Sequence, residues 1–297
     1  MQGGERYNSI SDYLKSYFGH KTVKLSIDAG FSCPNRDGKI STGGCLFCSP
    51  EGSGELSSTI SEQIELLSSK WSDVKYLAYF QSHTNTYAPV DILRAKYYEA
   101  LDDERISGIV IATRPDCLND DVLDLLEEIE KKYFMWIELG LQTIHPHTSD
   151  MMNIGYDLKT YDNAVDKLLE RNIRIVTHLI LGLPNESNEQ ILESVKYVSQ
   201  KAIFGLKLHL LNVVHGSGLH KILPNYIPFQ SIDEYVNLVI DCLEIIPSDI
   251  TIHRLTGDVP RKILVSPEWS YKKRTILNRI NYELKHRNTY QGRLCNK

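Results

Sequence analysis

Three cysteines lie within sixteen residues near the start of this chain, and they are its clearest chemical signal. Eleven residues separate Cys33 from the close pair Cys45 and Cys48, and Gly43 and Gly44 let the intervening loop turn back on itself. Three thiolates in one loop suit an iron–sulfur cluster or zinc, and three ligands would leave one metal position open. A structural zinc site completed by a distant His or Cys, or a loop of reduced thiols, would share this spacing. The pattern favours metal binding over free thiols and leaves iron–sulfur and zinc equal.

The composition is that of an ordinary globular protein. The 297 residues allow one large α/β domain or two smaller ones, and 42% hydrophobic with 24% charged residues is typical of a soluble chain. The first residues carry no signal-peptide pattern, and no apolar run approaches the roughly 20 residues that cross a bilayer. Six unevenly spaced cysteines do not form a secreted disulfide pattern. We therefore expect a cytoplasmic protein with reduced thiols and no membrane partner.

Charge is unevenly distributed along the chain. The net charge is −5, yet residues 261–297 contain ten Lys or Arg against Glu268 and Glu283, a balance of +8 that leaves −13 for the other 260 residues. A basic terminal segment on an acidic body is typical of a phosphate-binding surface. A solvated helix face agrees equally well with the charge alone.

The elements that position the cysteines follow a repeating strand–helix order. Apolar runs and alternation predict strands at residues 23–27, 76–80, 108–112, 134–139, 173–180 and 205–211. Helical spacing predicts helices at residues 9–18, 61–71, 90–101, 120–132, 159–171, 188–200, 232–245 and 272–287. Strands that alternate with helices form parallel sheets through right-handed crossovers. The predicted fold is α/β, a partial (βα)6 TIM-like barrel over residues 1–211 with its N-terminal helix, followed by a basic C-terminal extension over residues 212–297.

Polar segments occur where the predicted strands end. The cysteine loop follows the first strand, and residues 81–86, 113–116, 140–143 and 181–184 follow the next four. In parallel barrels the chemistry takes place at the carboxyl ends of the strands. Ordinary turns would explain the Gly and Pro in these segments, but not the Gln, Thr, Arg and Asp beside them. The sequence therefore predicts one site at this end of the barrel.

With the strands assigned, the cysteine loop resembles that of the radical S-adenosylmethionine (SAM) superfamily. That superfamily usually has Cys-x3-Cys-x2-Cys directly after the first barrel strand, and the longer first gap here is a variant of it. The chain is similar to the branch containing the elongator-complex catalytic subunit, and more closely to YhcC/YtqA-type proteins. The matching stretches are residues 30–38 (GFSCPNRDG), 81–89, 112–116 (ATRPD), 138–143 (ELGLQT) and 253–258 (HRLTGD). The resemblance extends from about residue 6 to residue 292.

The resemblance implies the cofactors and the residues that hold them. It implies a [4Fe–4S] cluster on Cys33, Cys45 and Cys48 whose fourth iron is chelated by SAM, and cleavage of SAM to a 5′-deoxyadenosyl radical that abstracts hydrogen from a substrate. The implied SAM contacts are Phe47 near the adenine, Gln81 and Ser82 near the amino group, and Thr113, Glu138 and Gln142 near the ribose or methionine. Such a polar cofactor needs contacts from several strand ends. A reductase, flavodoxin or ferredoxin is implied as electron donor.

One departure from the family pattern concerns the SAM carboxylate. Related branches often have Asn-Arg-Gly-His after the fourth strand, with the Arg near that carboxylate. Here residues 153–156 read Asn-Ile-Gly-Tyr, and Ile154 replaces the Arg. Lys159, Lys207 or Arg114 would then supply the cation, or SAM would be held differently.

The resemblance also implies tRNA as the substrate. YtqA-type proteins are associated with removing the carboxymethyl group from wobble carboxymethylaminomethyl-uridine, which leaves aminomethyl-uridine. The basic segment agrees with this, because it would hold phosphates while a flipped base enters the barrel. The candidate nucleic-acid contacts are Arg261, Lys262, Trp269, Lys272, Lys273 and Arg274, with Trp269 or Tyr271 stacking on a base. The candidate substrate contacts are His178, Lys207, His209, His253, Arg254 and Asp258.

Two other functions are compatible with these residues. A radical SAM enzyme of this fold would also act on a small molecule, such as a porphyrin or coenzyme precursor. A non-catalytic tRNA-binding factor would carry zinc on the three cysteines. Cys117, Cys242 and Cys295 are expected to be bystander thiols.

Overall fold

A parallel β-sheet forms the centre of the protein. The computed structural model describes residues 6–52, 57–68 and 73–295. Within these residues the strands are β1 (Lys21–Ile27), β2 (Val74–Phe80), β3 (Ile106–Thr113), β4 (Phe134–Gln142), β5 (Ile175–Leu181), β6 (Gly205–Leu210), β7 (Val213–Val214), β8 (Thr251–Arg254) and β9 (Leu264–Ser266). Strands β1 to β6 and β8 form one seven-stranded parallel sheet in chain order, and β7 pairs antiparallel with β9. The sheet curls into a half-barrel, which confirms the predicted α/β partial barrel.

Helices follow most of the strands and cover the outer face of the sheet. In the described residues they are α1 (Ile10–Phe18), α2 (Ile60–Ser68), α3 (Val90–Leu101), α4 (Asp120–Glu130), α5 (Pro146–Met151), α6 (Leu158–Glu170), α7 (Asn188–Ser199), α8 (Gly218–Ile222), α9 (Ile232–Ile245) and α10 (Lys273–His286). Several begin at a side chain that accepts a hydrogen bond from the first turn: Ser9, Asn119, Asp157, Ser187 and Ser231. Each such cap contributes about 1 kcal/mol to stability. Over the described part of the chain, every helix is too short or too polar to cross a bilayer.

The seven-stranded sheet contains one strand more than the six that the sequence predicted. The additional strand, β8, has only four residues and includes the polar His253 and Arg254, so it lacks a clear apolar run. It pairs with β6, and the predicted boundary after residue 211 therefore falls between two neighbouring strands. Residues 212–229, predicted as a loop, contain β7 and α8. The predicted helix at 61–71 is observed as α2, and Trp71 lies outside the described residues.

Helix α1 closes the amino-terminal end of the half-barrel. Its Leu14 packs with inward-facing residues of the sheet, among them Tyr79, Phe134 and Trp136. Trp136 is fully buried, and burying an aromatic side chain of this size contributes about 2 to 3 kcal/mol. Because this end is filled, the interior opens at the carboxyl ends of the strands.

The two ends of the described chain are hydrogen-bonded to each other. The backbone N–H of Gln291 donates to the carbonyl of Arg6 at 2.9 Å, and the N–H of Asn8 donates to Oε1 of Gln291 at 2.8 Å. The N–H of Ile252 in β8 donates to the carbonyl of Asn8 at 2.7 Å. The N-terminal segment therefore lies beside the exposed edge of β8 and joins it to the C-terminal segment.

Candidate functional site

A cavity of about 460 Å³ opens at the carboxyl ends of the strands. Its wall includes the three loop cysteines, Cys33, Cys45 and Cys48. The other predicted site residues that line it are Phe47, Gln81, Thr113, Glu138, Gln142, His178, His209, Arg254 and Asp258. Ser82 and Lys207 are buried behind the wall, each 1% exposed, and His253 packs against Trp136. The structure thus brings residues predicted from several strand ends to one space.

Two asparagines fix the shape of the cysteine loop. The side-chain amide of Asn35 donates to Sγ of Cys45 at 3.4 Å and to the carbonyl of Asn153 at 2.5 Å. Asn153 has a left-handed backbone conformation (φ 52°), and its own amide donates to the carbonyl of Gly44 at 2.8 Å. A left-handed conformation is tolerated by Asn better than by most residues. The loop is therefore held against the segment that follows α5, which carries Asn153.

The loop favours a thiolate at Cys45. A hydrogen bond from Cys48, together with the charges of Arg114 and Arg36 and against the effect of burial, lowers the pKa of Cys45 to about 7. The same hydrogen bond and burial raise the pKa of Cys48. Thiolates are the species that bind metal. The donor set, three cysteines on one cavity with one thiol already near its ionisation point, fits an iron–sulfur cluster.

A single metal ion would require a different arrangement. Among the described residues, no three His, Cys, Asp or Glu side chains converge closely enough to hold one ion. In a [4Fe–4S] cluster each cysteine binds a different iron. The three cysteines that share the cavity wall are compatible with such ligands.

Arg114 brings a positive charge to the cavity wall near the cysteines. Its guanidinium makes two hydrogen bonds to Asp116, at 2.9 and 2.8 Å, and lies over the ring of Tyr156 at 4.8 Å. Its third contact is to the carbonyl of Ile154, at 3.0 Å. Of the three cations considered as substitutes for the missing family Arg, Arg114 lines the cavity, Lys159 is exposed outside it, and Lys207 is buried.

The floor of the cavity is built around one buried carboxylate, Glu138, which is 0% exposed. It accepts hydrogen bonds from Tyr79 (2.5 Å), His178 (3.0 Å), Trp136 (3.2 Å), Lys24 (3.3 Å) and Lys207. These donors come from five different strands, because β1, β2, β4, β5 and β6 all send side chains inward at this level. Glu138, predicted as a SAM contact, is thus fully engaged by the protein itself.

The protonation states of this floor follow from burial and pairing. Burial opposes the charged form of Glu138, but the charges of Lys207 and Lys24 and the hydrogen bond from His178 outweigh it and hold the pKa of this carboxyl well below its usual value. Burial and the charge of Lys207 lower the pKa of His178 to about 4. Burial and the charge of Arg254 likewise lower the pKa of His209 well below its usual value. At neutral pH the floor holds a carboxylate and neutral imidazoles.

Comparison with known proteins identifies the family of the chain. The Radical SAM superfamily model matches residues 37–198, more than half of the chain, and the Radical_SAM C-terminal domain matches residues 203–286. The chain belongs to the radical SAM superfamily. Enzymes of this superfamily use a [4Fe–4S] cluster and SAM. Cys33 lies just before the matched residues, as expected from the long gap between the first two cysteines.

Several known proteins are similar to this radical SAM protein over nearly its whole length. Protein YtqA of Bacillus subtilis (strain 168) is 42% identical over 97% of this chain and 92% of its own length. Protein YhcC of Escherichia coli (strain K12) is 35% identical over 91% of this chain and 89% of its own length. The archaeal Methanocaldococcus infernus Elp3, with a deleted N-terminus, has the same fold with a TM-score of 0.68 at 13% identity, over 91% of this chain and 64% of that one.

The basic C-terminal segment is less free than its charge suggested. Lys273 pairs with Asp258 at 2.9 Å, and other cations of the segment pair with acids of α9 and α10. Trp269 packs against Tyr235 at 6.0 Å between ring centroids, so the structure does not offer it for stacking on a base. Tyr271 is exposed, as are Tyr282 and Tyr290, and the guanidinium of Arg261 lies over the Tyr271 ring at 4.4 Å. Within the described residues, the cations of this segment that make no ion pair are Arg261, Lys262, Lys272, Arg274 and Lys285.

Several cavity residues were missed by sequence reasoning. Lys24 precedes the buried Leu25 in β1, and because neighbouring side chains of a strand face opposite sides, Lys24 faces the interior of the half-barrel. This alternation was visible in the sequence. Tyr79 faces the same interior, but a strand tyrosine gives no such signal. Asn212 and Tyr156 come from loops, whose course the pattern does not predict. Cys117, one of the expected bystanders, has its pKa raised to about 12 by burial, so it stays a thiol.

Proposed function

We propose that this radical SAM enzyme modifies the wobble uridine of tRNA, converting carboxymethylaminomethyl-uridine to aminomethyl-uridine with loss of the carboxymethyl group. The observation that carries the proposal is the single cavity that joins the three cysteines to a polar floor at the strand ends. The similarity to YtqA and YhcC over nearly the whole chain agrees with the resemblance from which this substrate was expected.

The residues of the wall would hold SAM beside the cluster, and these cofactors would supply a 5′-deoxyadenosyl radical. Phe47, Gln81, Thr113 and Gln142 line the cavity from the cysteine loop and three strand ends, as a cofactor with adenine, ribose and amino-acid parts requires. Arg114 would pair with the SAM carboxylate in place of the Arg that Ile154 replaces. The filled base of the half-barrel would keep water from the reacting centre.

The surface for tRNA would lie beside the mouth of the cavity. Asp258 lines the cavity and pairs with Lys273 of α10, which places the first turn of that helix at the rim. The unpaired cations around it, with the exposed Tyr271, would hold phosphates and stack on a base while the target uridine enters. Salt would weaken this interaction because counterions are released when phosphates are bound.

The deciding experiment measures nucleosides of tRNA by mass spectrometry in a strain that lacks the gene. We expect carboxymethylaminomethyl-type uridines to accumulate and aminomethyl-type uridines to fall. Wild-type protein and Cys295→Ala should restore the ratio, because Cys295 lies outside the cavity, whereas Cys45→Ala should not. An unchanged ratio in the deletion strain would contradict the proposed substrate.

The cofactor part of the proposal has a separate test. Anaerobically reconstituted protein should hold about four irons and convert SAM to 5′-deoxyadenosine with dithionite, whereas a zinc-binding factor would do neither. The tRNA surface is best tested by charge reversal at Lys272 and Arg274. Truncation would unfold the region, because α10 packs on α9 through the buried Ile276, Ile280 and Leu284.

A further inference from the structure

The floor of the cavity contains more positive charge than the protein neutralises. Glu138, which lines the cavity, pairs with Lys207 behind it and with Lys24 at 3.3 Å. Asp258 at the rim is shared by the exposed Lys273 at 2.9 Å and by Arg254 at 3.6 Å. In the described part of the floor, three basic side chains, Lys24, Lys207 and Arg254, therefore surround one fully buried carboxylate, Glu138. An excess of buried positive charge is costly unless an anion compensates it.

Three side chains of this floor have N–H groups that make no hydrogen bond to the described part of the protein. Arg254 makes no hydrogen bond within the described residues, and a guanidinium offers five N–H donors. Nε2 of His209 is buried and has no hydrogen-bond partner there, although the ring lies 5.0 Å from that of His178 and lines the cavity. Lys24 is 24% exposed and keeps donors beyond the one used for Glu138. Buried polar groups are nearly always paired, so the unpartnered Nε2 of His209 points to a ligand, and the partly exposed Lys24 and Arg254 offer further donors to it.

The three donor side chains line the same cavity. Lys24 is on the edge strand β1, Arg254 on the opposite edge strand β8, and His209 on β6 beside it, and all three line one cavity. The register of the sheet sets Lys207 next to Arg254, and His209 follows two residues later on the same face. Burial lowers the pKa of both Lys24 and His209, and the charge of Arg254 lowers it further.

We infer that Lys24, Arg254 and Nε2 of His209 form a binding site for a carboxylate of the substrate. This inference rests on the proposed function, in which the substrate carries a carboxymethylamino group, and it assigns the residues that recognise that group. A guanidinium and an ammonium bind a carboxylate through charge-assisted hydrogen bonds, the strong class of such bonds. Oδ1 of Asn212 is buried in the same wall without a partner among the described residues, so it offers an acceptor to the amine of the carboxymethylamino group.

The test measures nucleoside binding, without turnover, to reconstituted enzyme with SAM and no reductant. The probes are carboxymethylaminomethyl-uridine, its methyl ester, aminomethyl-uridine and uridine 5′-monophosphate, followed by equilibrium dialysis. We expect the free acid to bind about 30-fold more tightly than its ester or aminomethyl-uridine, the effect of removing one partner of a buried charge pair. Arg254→Gln should abolish most of this preference, and Arg254→Lys should keep part of it. Arg279→Gln, which removes a surface cation paired with Asp233, is the matched control and should keep it fully.

Three kinds of outcome overturn the inference. Equal binding of acid and ester to the wild-type enzyme, or no binding of the acid, would show that no carboxylate site exists, and this comparison does not depend on a folded variant. Tighter binding of uridine 5′-monophosphate would assign the site to phosphate instead. A preference that persists in Arg254→Gln would exclude these residues. If the acid is preferred while the tRNA nucleoside ratio of the deletion strain is unchanged, the proposed tRNA substrate fails and the carboxylate site stands.

Discussion

Breaking the buried pair of Lys207 and Glu138 should destabilise the protein, and the two possible breaks should differ in cost. Removing one partner of a buried ion pair typically costs about 3 to 5 kcal/mol, because the other charge stays buried without compensation. Lys207→Met leaves Glu138 with four donors, Lys24, Tyr79, Trp136 and His178, so we expect a loss near the lower limit, about 3 kcal/mol.

The reverse substitution should cost more. Glu138→Gln leaves Lys24 and Lys207 close together without their shared carboxylate, and Arg254 adds a third positive charge nearby. We expect a loss of about 5 kcal/mol. In the double variant Glu138→Gln/Lys207→Met one of the uncompensated charges is gone, so its loss should be about 2 to 3 kcal/mol smaller than the sum of the single losses.

Equilibrium urea unfolding of the cluster-free protein at pH 7, followed by circular dichroism, measures these energies. Lys201→Met is the matched control: its ammonium pairs with Asp162 at 2.8 Å, but both side chains are 28% exposed. Its loss should stay within about 1 kcal/mol. Additive single losses, or a loss at Lys207 no larger than that of the control, would refute the idea that the floor is a tightly coupled charge cluster.

Three further predictions concern single residues. His178 has a folded pKa of about 4 against an ordinary value of 6.5, so the folded state binds fewer protons than the unfolded state between these values, and stability should fall as the pH drops through this window. In urea unfolding measured from pH 7 to pH 4, His178→Gln should remove up to about 3 kcal/mol of that fall. An unaltered dependence of stability on pH would contradict this prediction. Arg114→Gln should raise the pKa of Cys45 above about 7, since the guanidinium is one of the charges that lower it. The pH dependence of Cys45 alkylation in the apoprotein measures this pKa, with Arg174→Gln as the control. An alkylation curve that does not shift would exclude Arg114 as a cause. Asn153→Gly and Asn153→Ala both remove the hydrogen bonds to Ser41 and Gly44, but only the Ala variant also strains the left-handed backbone. Asn153→Gly should therefore slow iron uptake by the apoprotein less than Asn153→Ala. Equal rates of uptake would show that the backbone conformation is unimportant there.

Much of the fold could be predicted because its periodicity is local. The helices Val90–Leu101 and Ile232–Ile245 lie at their predicted bounds, since each has a clear apolar stripe and a defined start. The strand β8 was missed because its four residues bury only two apolar or small side chains well, and its place in the sheet depends on pairing with β6 rather than on its own pattern.

The site was predictable to the level of the strand end, and not beyond it. The cysteines, Gln81, Thr113 and Gln142 were found because they lie in motifs at predicted strand ends. The role of Glu138 depends on donors from distant strands, whose distances no local pattern encodes. Trp269 shows a related limit: a tryptophan in a basic segment suggests a surface, and the packing of its ring on Tyr235 is not encoded locally.

The hydrogen bonds between the two ends of the chain determine when the barrel can be completed during synthesis. Arg6 and Asn8 are synthesised long before their partners Gln291 and Ile252. Helix α1 therefore has no complete docking site until β8 has been synthesised, and the apolar interior around Trp136 stays uncovered at its base until then. A nascent chain that stalls before β8 would expose this interior, so we expect such intermediates to be the ones that chaperones bind and that aggregate.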